Sequence, residues 1–263
     1  MAGSLWRIEL MGGLRVTGED RVITRFRTQK TGTLLGALAL NLGRPMTRAR
    51  LLELLWPDSD ESAGRNSLSV ALSSLRGQLE PPGTAQGTVI AADRMTIGLR
   101  AETVECDLTE FERLIDLADD ASRPSERIDL LSQACDLARG ELLDGYTEDW
   151  LLPEQLRVAG RRAWALGELV DMLLAAGDTA RALPYAQRLV ADEPAAEASH
   201  ARLIAAYVAA GELSAATRQF AQLERELAAL DEVPSDCVRE LIAGLELTNA
   251  PVVAPASPAP VTA

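Results

Sequence analysis

Between Ser62 and Glu80 the chain reads "SAGRNSLSVALSSLRGQLE", with apolar residues recurring at helical spacing. Wound at 3.6 residues per turn, Leu68, Ala71, Leu72, Leu75 and Leu79 form one stripe, the buried side of an amphipathic helix. The opposite side carries Ser62, Asn66, Ser69, Val70, Ser73 and Gly77, bordered by Arg65 and Arg76. A helix that merely faces water usually shows Glu, Lys and paired charges there. Small side chains, one amide and two guanidiniums suit a helix whose backbone lies deep in a groove.

The flanking patterns give that helix a context. "SLWRIELMGGLRV" contains two strand-like runs around Gly12-Gly13, and "GEDRVITRFR" adds a turn and one or two further short strands. Leu34, Leu35, Leu38 and Leu42 recur at helical spacing in "KTGTLLGALALNLG", which is expected to stop at Gly43. "RPMTRARLLELLWPD" predicts a second helix, with Thr47 as N-cap, Leu51, Leu52, Leu55 and Trp56 along it, and Pro57 ending it. After the third helix and the breaker "PPGTAQG", "TVIAADRMTIGL" reads as a hairpin turning at Ala92-Asp93-Arg94. Strands, three helices and a hairpin are the order of a winged helix, whose third helix enters the major groove.

From Val104 to Leu247 the pattern is helical almost throughout, including a long helix from about Asp149 to Ala176. "LLAAGDTARALPY", from Leu173, aligns with "YVAAGELSAATRQ", from Tyr207, at an offset of 34 residues. The match superposes Gly177 on Gly211 and Ala182 on Ala216. A 34-residue helix-pair period is that of tetratricopeptide arrays, whose concave surfaces bind proteins. Trp150, Trp164, Tyr146 and Tyr185 are expected to pack between helices. The expected fold is therefore mainly α with a small β component. A winged helix-turn-helix over 1–100 precedes an all-α tetratricopeptide-like domain over 101–247 and a disordered Pro/Ala tail or linker over 248–263.

Charge sharpens the division. The net charge of −13 conceals a first hundred residues with 13 basic and 9 acidic side chains, a balance of +4, and a remainder at −17. A local basic surface is what a phosphate backbone attracts, because salt screens charges beyond about 10 Å. Candidate catalytic chemistry is sparse. His200 is the only histidine, expected on a helix surface or half-buried, so a His-based metal site or Ser-His relay is not predicted. Lys30 is the only lysine and lacks the glycines of a phosphate-cradling loop. Cys106, Cys135 and Cys237 are far apart and are read as reduced core thiols. The expectation is a non-enzyme with no cofactor, no bound metal and no membrane partner, located in the cytoplasm.

"GRPMTRARLLELLWPD" followed by "AGRNSLSVALSSLRGQL" resembles the OmpR-type DNA-binding domain of the Streptomyces antibiotic regulatory protein family. "CDLTEFERLI" and "DEPAAEASHARLIAAYVAAGELSAATRQFAQLERELAAL" resemble the start and end of that family's bacterial transcriptional activation domain. The resemblance runs from about Leu5 to Leu247 and departs from the family where "RMTIGL" replaces "GYxL" and "LDEVPS" replaces Glu-Leu-Gly before Pro-Ser. It implies an activator that binds direct repeats in double-stranded DNA, self-associates on those repeats and recruits RNA polymerase through a sigma factor. On the third helix, Asn66 and Ser73 are expected at base edges, Val70 at a thymine methyl, and Ser69, Arg65 and Arg76 at bases or phosphates. Thr47, Arg48 and Arg50 open the helix that crosses the backbone, and Lys30 and the wing residue Arg94 complete the set. Two readings stay open beside this one: the front part of a larger ATPase-containing regulator, and a helical-repeat scaffold whose winged helix touches only protein.

Overall fold

The computed structural model describes residues 6–18 and 21–240, and the chain divides into two compact units, Met1–Ala165 and Leu166–Ala263. The tail expected over 248–263, the end of the expected helical domain and the turn residues Glu19 and Asp20 lie outside the described residues.

The first unit opens with the antiparallel strands β1 (Trp6–Glu9), β2 (Arg15–Thr17) and β3 (Val22–Ile23). Gly12 and Gly13 make the first turn at φ +98° and +109°, angles that only glycine adopts cheaply. α1 (Gln29–Leu40) starts at Thr28, whose hydroxyl accepts from the Thr31 N–H. Every residue from Thr31 to Ala39 is buried, so this helix, enclosed on all sides, forms the centre of the winged helix. It ends at Asn41, whose side chain donates to the Ala37 carbonyl, ahead of Gly43. Gly32 and Gly36, one turn apart, leave room for Tyr146 and Leu143; a Cβ on Gly36 would stand 2.9 Å from Leu143 Cδ1.

β4 (Met46–Thr47) leads into α2 (Arg48–Leu55), capped by Thr47 as its sequence predicts. α3 (Glu61–Leu79) begins at Asp60, which accepts from the Ser62 and Ala63 N–H groups. Those bonds, Ala63's first, hold the Asp60 carboxyl below its ordinary range. The predicted stripe of Leu68, Ala71, Leu72, Leu75 and Leu79 is buried throughout. Each leucine contributes about 1.5–3 kcal/mol by leaving water. The wing, β5 (Ile90–Ala92) and β6 (Thr96–Leu99), extends to a three-stranded sheet in the order β4-β6-β5.

One element departs from the helical pattern expected from Val104 onward. β7 (Val104–Cys106) pairs parallel to β1, with Trp6 opposite Val104 and Ile8 opposite Cys106, giving the sheet order β3-β2-β1-β7. Three residues are too few to show a strand period, and only β1 supplies the partner. α4 (Asp107–Asp120) follows at once, then α5 (Pro124–Leu137) and α6 (Leu152–Ala175). Buried Asp107 spans the junction. Its carboxylate accepts from Leu10 N–H (2.8 and 3.0 Å), Met11 N–H (2.9 Å) and Leu108 N–H (2.7 Å). The stretch between α5 and α6 is also not helical, and it returns to the first strand's end through Leu143 N–H to the Leu10 carbonyl at 2.7 Å. α4 and α6 are tied by Glu112–Arg157 (2.7 Å) and Asp116–Arg161 (2.8 Å).

The second unit shows the sequence repeat in its backbone. α7 (Thr179–Asp192), α8 (Glu197–Ala209) and α9 (Leu213–Ala228) follow the end of α6. Gly177 and Gly211 have φ of +74° and +76°. The N–H after each bonds back to the ending helix, Asp178 to Leu173 (2.9 Å) and Glu212 to Tyr207 (2.8 Å), a Schellman turn repeated in register. Ala182 and Ala216, also in register, are both fully buried. His200 is fully buried too, with one ring nitrogen 2.8 Å from the Pro194 carbonyl and the other 2.9 Å from Gln219 Nε2. The expected surface or half-buried position is thus corrected, because two neighbouring polar groups satisfy both nitrogens. Cys106 and Cys135 are core thiols, whereas Cys237 is exposed. Burial, and then the Asp107 charge, push the Cys106 thiol up to about 11. Trp164, expected between helices, is 40% exposed and stacks beneath Arg161.

Burial raises the Asp107 pKa above 3.8 despite the N–H groups it accepts, so folding favours its protonated form. The stability of the wild-type chain relative to Asp107→Asn therefore rises as pH falls through the folded pKa, and levels off below the unfolded one. Urea denaturation across the acidic range measures it, and a pH-independent difference would contradict the assignment. Leu75→Ala should cost about 2–5 kcal/mol, whereas Asn66→Ala, on the opposite face of α3, should stay within about 0.5 kcal/mol of wild type by the same method.

Candidate nucleic-acid interface

On α3 the side opposite the leucine stripe is open: Ser62, Arg65, Asn66, Ser69, Ser73 and Gly77 are exposed, and Val70 is 45% exposed. The helix can afford this polar face because Asp60 caps its start and the stripe supplies its burial. Ser69 donates its hydroxyl to the Arg65 carbonyl (2.8 Å), which keeps the side chain against the helix and the face shallow.

Beside that face runs a groove lined by Arg48, Ser69, Ser73, Arg76, Gly77, Glu80, Thr84 and Gln86. Four residues singled out in the sequence, Arg48, Ser69, Ser73 and Arg76, thus share one surface. Arg48 reaches it from α2 and links that helix to the wing: its Nε donates to the Asp93 carbonyl (3.0 Å) and its N–H to the Met95 carbonyl (2.9 Å). Asp93 shapes the wing turn by accepting from Thr96 and Met95 N–H groups, which hold its carboxyl below the ordinary range, Thr96's bond first. Arg94 and Met95 are exposed at that turn, Met95 by 71%.

Of the other basic residues singled out in the sequence, Arg65, Arg50 and Lys30 stand apart from the groove and have acidic partners. Arg65 pairs with Glu61 one turn earlier, and Arg50 with Glu53 at 3.4 Å. Thr47 is spent as the N-cap of α2. Lys30, at the start of α1, lies 3.7 Å from Glu148, which also accepts from Thr33. Sequence reasoning placed Gly77 on this face but missed Glu80, Thr84, Gln86 and Met95. The i,i+4 spacing of Arg76 and Glu80 was a readable signal; the loop residues carry none, since the return of the chain from α3 to the wing brings them in.

Among the described residues, no group of three or more His, Cys, Asp and Glu is arranged to hold a metal ion, and no helix is long and apolar enough to cross a membrane.

Comparison with known proteins bears on the family and the fold. The model of the transcriptional regulatory protein C-terminal family matches residues 26–95, and that of the bacterial transcriptional activator domain matches residues 106–245. The regulatory protein AfsR of Streptomyces coelicolor is 26% identical over 233 residues, 88% of this chain and 23% of AfsR, so the chain spans about a quarter of that relative. EmbR of Mycobacterium tuberculosis, solved with a low affinity phosphopeptide, shares the fold with a TM-score of 0.73 at 23% identity, over 93% of this chain and 66% of EmbR. With an activator-domain match over more than half its length, behind a winged helix, the chain belongs to the bacterial transcriptional activator domain family and has the two domains that its resemblance to the Streptomyces antibiotic regulatory protein family implies.

Proposed function

We propose that this regulator is a sequence-specific activator that inserts α3 into the major groove of double-stranded DNA at promoter direct repeats and recruits RNA polymerase. The observation that carries the reading is the exposed face of α3, small and polar opposite a fully buried leucine stripe. In this reading Asn66 and Ser73 meet base edges, Val70 a thymine methyl, and Arg65, Ser69 and Arg76 the bases or phosphates beside them. Thr47, Arg48 and Arg50 fix α2 on the backbone, Arg94 follows with the wing, and Lys30 supplies a peripheral phosphate contact. The −17 balance after residue 100 suits a basic partner such as a sigma factor's promoter-binding region. Tandem operator repeats would set two or more copies side by side.

The test uses the whole chain, because cutting near residue 100 would remove β7 and Asp107 from β1. With a duplex selected from a randomised pool, Asn66→Ala should lose about 1–3 kcal/mol of binding. On a promoter carrying that site, wild type should stimulate transcription by purified polymerase, and Asn66→Ala at equal concentration should not. Equal affinity of the two proteins would remove Asn66 from the base contacts, and binding without stimulation would leave a DNA-binding protein that does not recruit polymerase.

A further inference from the structure

Glu80 is the C-cap of α3, and its side chain is 2% exposed although it lines the groove beside the helix. One carboxylate oxygen, Oε1, accepts from three backbone N–H groups: Gly87 (3.0 Å), Val89 (2.9 Å) and Ile90 (2.9 Å). Those residues lead into β5, so the end of α3 and the first strand of the wing are held by one atom. The other oxygen, Oε2, is buried and makes no hydrogen bond; it faces Arg76 Nε, likewise buried without a hydrogen bond, at 3.8 Å. A buried carboxylate oxygen and a buried N–H left unsatisfied are each costly, and here they face one another just beyond bonding distance.

A guanidinium carries five donors in a rigid fork, so holding the Nε edge fixes where the remaining N–H groups point. Arg76 is 22% exposed, on a surface shared with Arg48, Ser69 and Ser73. We infer that Glu80 is a positioning residue for DNA recognition: it locks the wing to the recognition helix through one oxygen and aims the Arg76 guanidinium at a phosphate or base through the other. The inference rests on the proposed DNA-binding reading and adds to it a residue whose negative charge would otherwise count against contact with DNA. Beside Arg76 that charge orients the cation and moderates its indiscriminate attraction to phosphate, so Arg76 contributes more to selection among sequences than to bulk affinity.

Glu80→Gln tests the charge while keeping an oxygen that can accept from the wing N–H groups. Binding of the whole chain is measured against salt on a mixed-sequence duplex and on a duplex selected by the wild-type chain, for wild type, Glu80→Gln, Arg76→Ala and the double variant. Releasing Arg76 should steepen the salt dependence on mixed-sequence DNA by about 0.9 in log–log slope and narrow the preference for the selected site. In the Arg76→Ala background, Glu80→Gln should change neither quantity, and thermal melts of the single variants report whether each is folded. An unchanged slope and preference in Glu80→Gln, its loss of folding, or the same change with Arg76 already removed would overturn the inference, leaving Glu80 a structural cap of the wing alone. Wild-type binding that ignores salt on both duplexes would instead overturn the DNA-binding reading itself.

Discussion

The first unit depends on how the chain returns to its own first strand. β1 leaves the sheet at Leu10 with two consecutive N–H groups that no strand can satisfy, and Asp107, 97 residues further on from Leu10, takes both with its two carboxylate oxygens. Buried backbone donors are almost always paired, and a carboxylate is the one side chain that accepts several without needing to donate. The parallel pairing of β1 with β7 delivers Asp107 to that spot. Everything that forms the candidate interface lies between those strands in sequence, so the winged helix is the crossover of a parallel β pair. The entropy of closing so long a loop grows only logarithmically with its length, so a short strand pair and one buried carboxylate suffice once the winged helix has its own core.

Within the crossover, α1 sets the positions of the other helices. Because it is buried on every side from Thr31 to Ala39, α2, α3 and β6 can pack around it, and its two glycines accept Tyr146 and Leu143 from the segment beyond α5. α3 thus has its leucine side fixed against a central helix and its polar side left free. Arg48 and Glu80 then tie the wing to α2 and α3 from opposite ends of the hairpin, through the Asp93 and Met95 carbonyls and the Gly87 to Ile90 amides. The candidate surface is consequently held in part by bonds between charged side chains and the wing backbone, which are roughly twice as strong as neutral ones.

The basic residues in and around that surface already have partners within the chain. Arg50, Arg65 and Arg76 each face a glutamate, and Lys30 faces Glu148. Exposed pairs of this kind contribute about 0–1 kcal/mol, so exchanging a glutamate for a phosphate costs little for Arg50 and Arg65. Arg76 differs because its partner is buried and anchored to the wing. A balance of only +4 over the first hundred residues therefore does not describe the field of this surface; the distribution and anchoring of the charges do.

Much of this protein was legible from its residues in order. The leucine period of α3, the Thr47 cap, the wing hairpin and the glycine-marked repeat are local signals, governed by spacing and dihedral preference, and they appear where the sequence predicted them. The open face of α3 was legible as well, since a helix with one buried stripe has only one other side. What the tertiary structure alone decided is long-range. β7 is three residues with no period, and it is a strand because β1 offers an edge. His200 is interior because Gln219 and the Pro194 carbonyl meet its two nitrogens, and Cys237 is exposed although its neighbours gave no sign of it. Glu80 looked like the last residue of a helix, and only the path of the chain back to the wing makes it a buried anchor. Local order sets which elements form; the meeting of residues far apart in sequence sets which of their polar groups are satisfied, and by what.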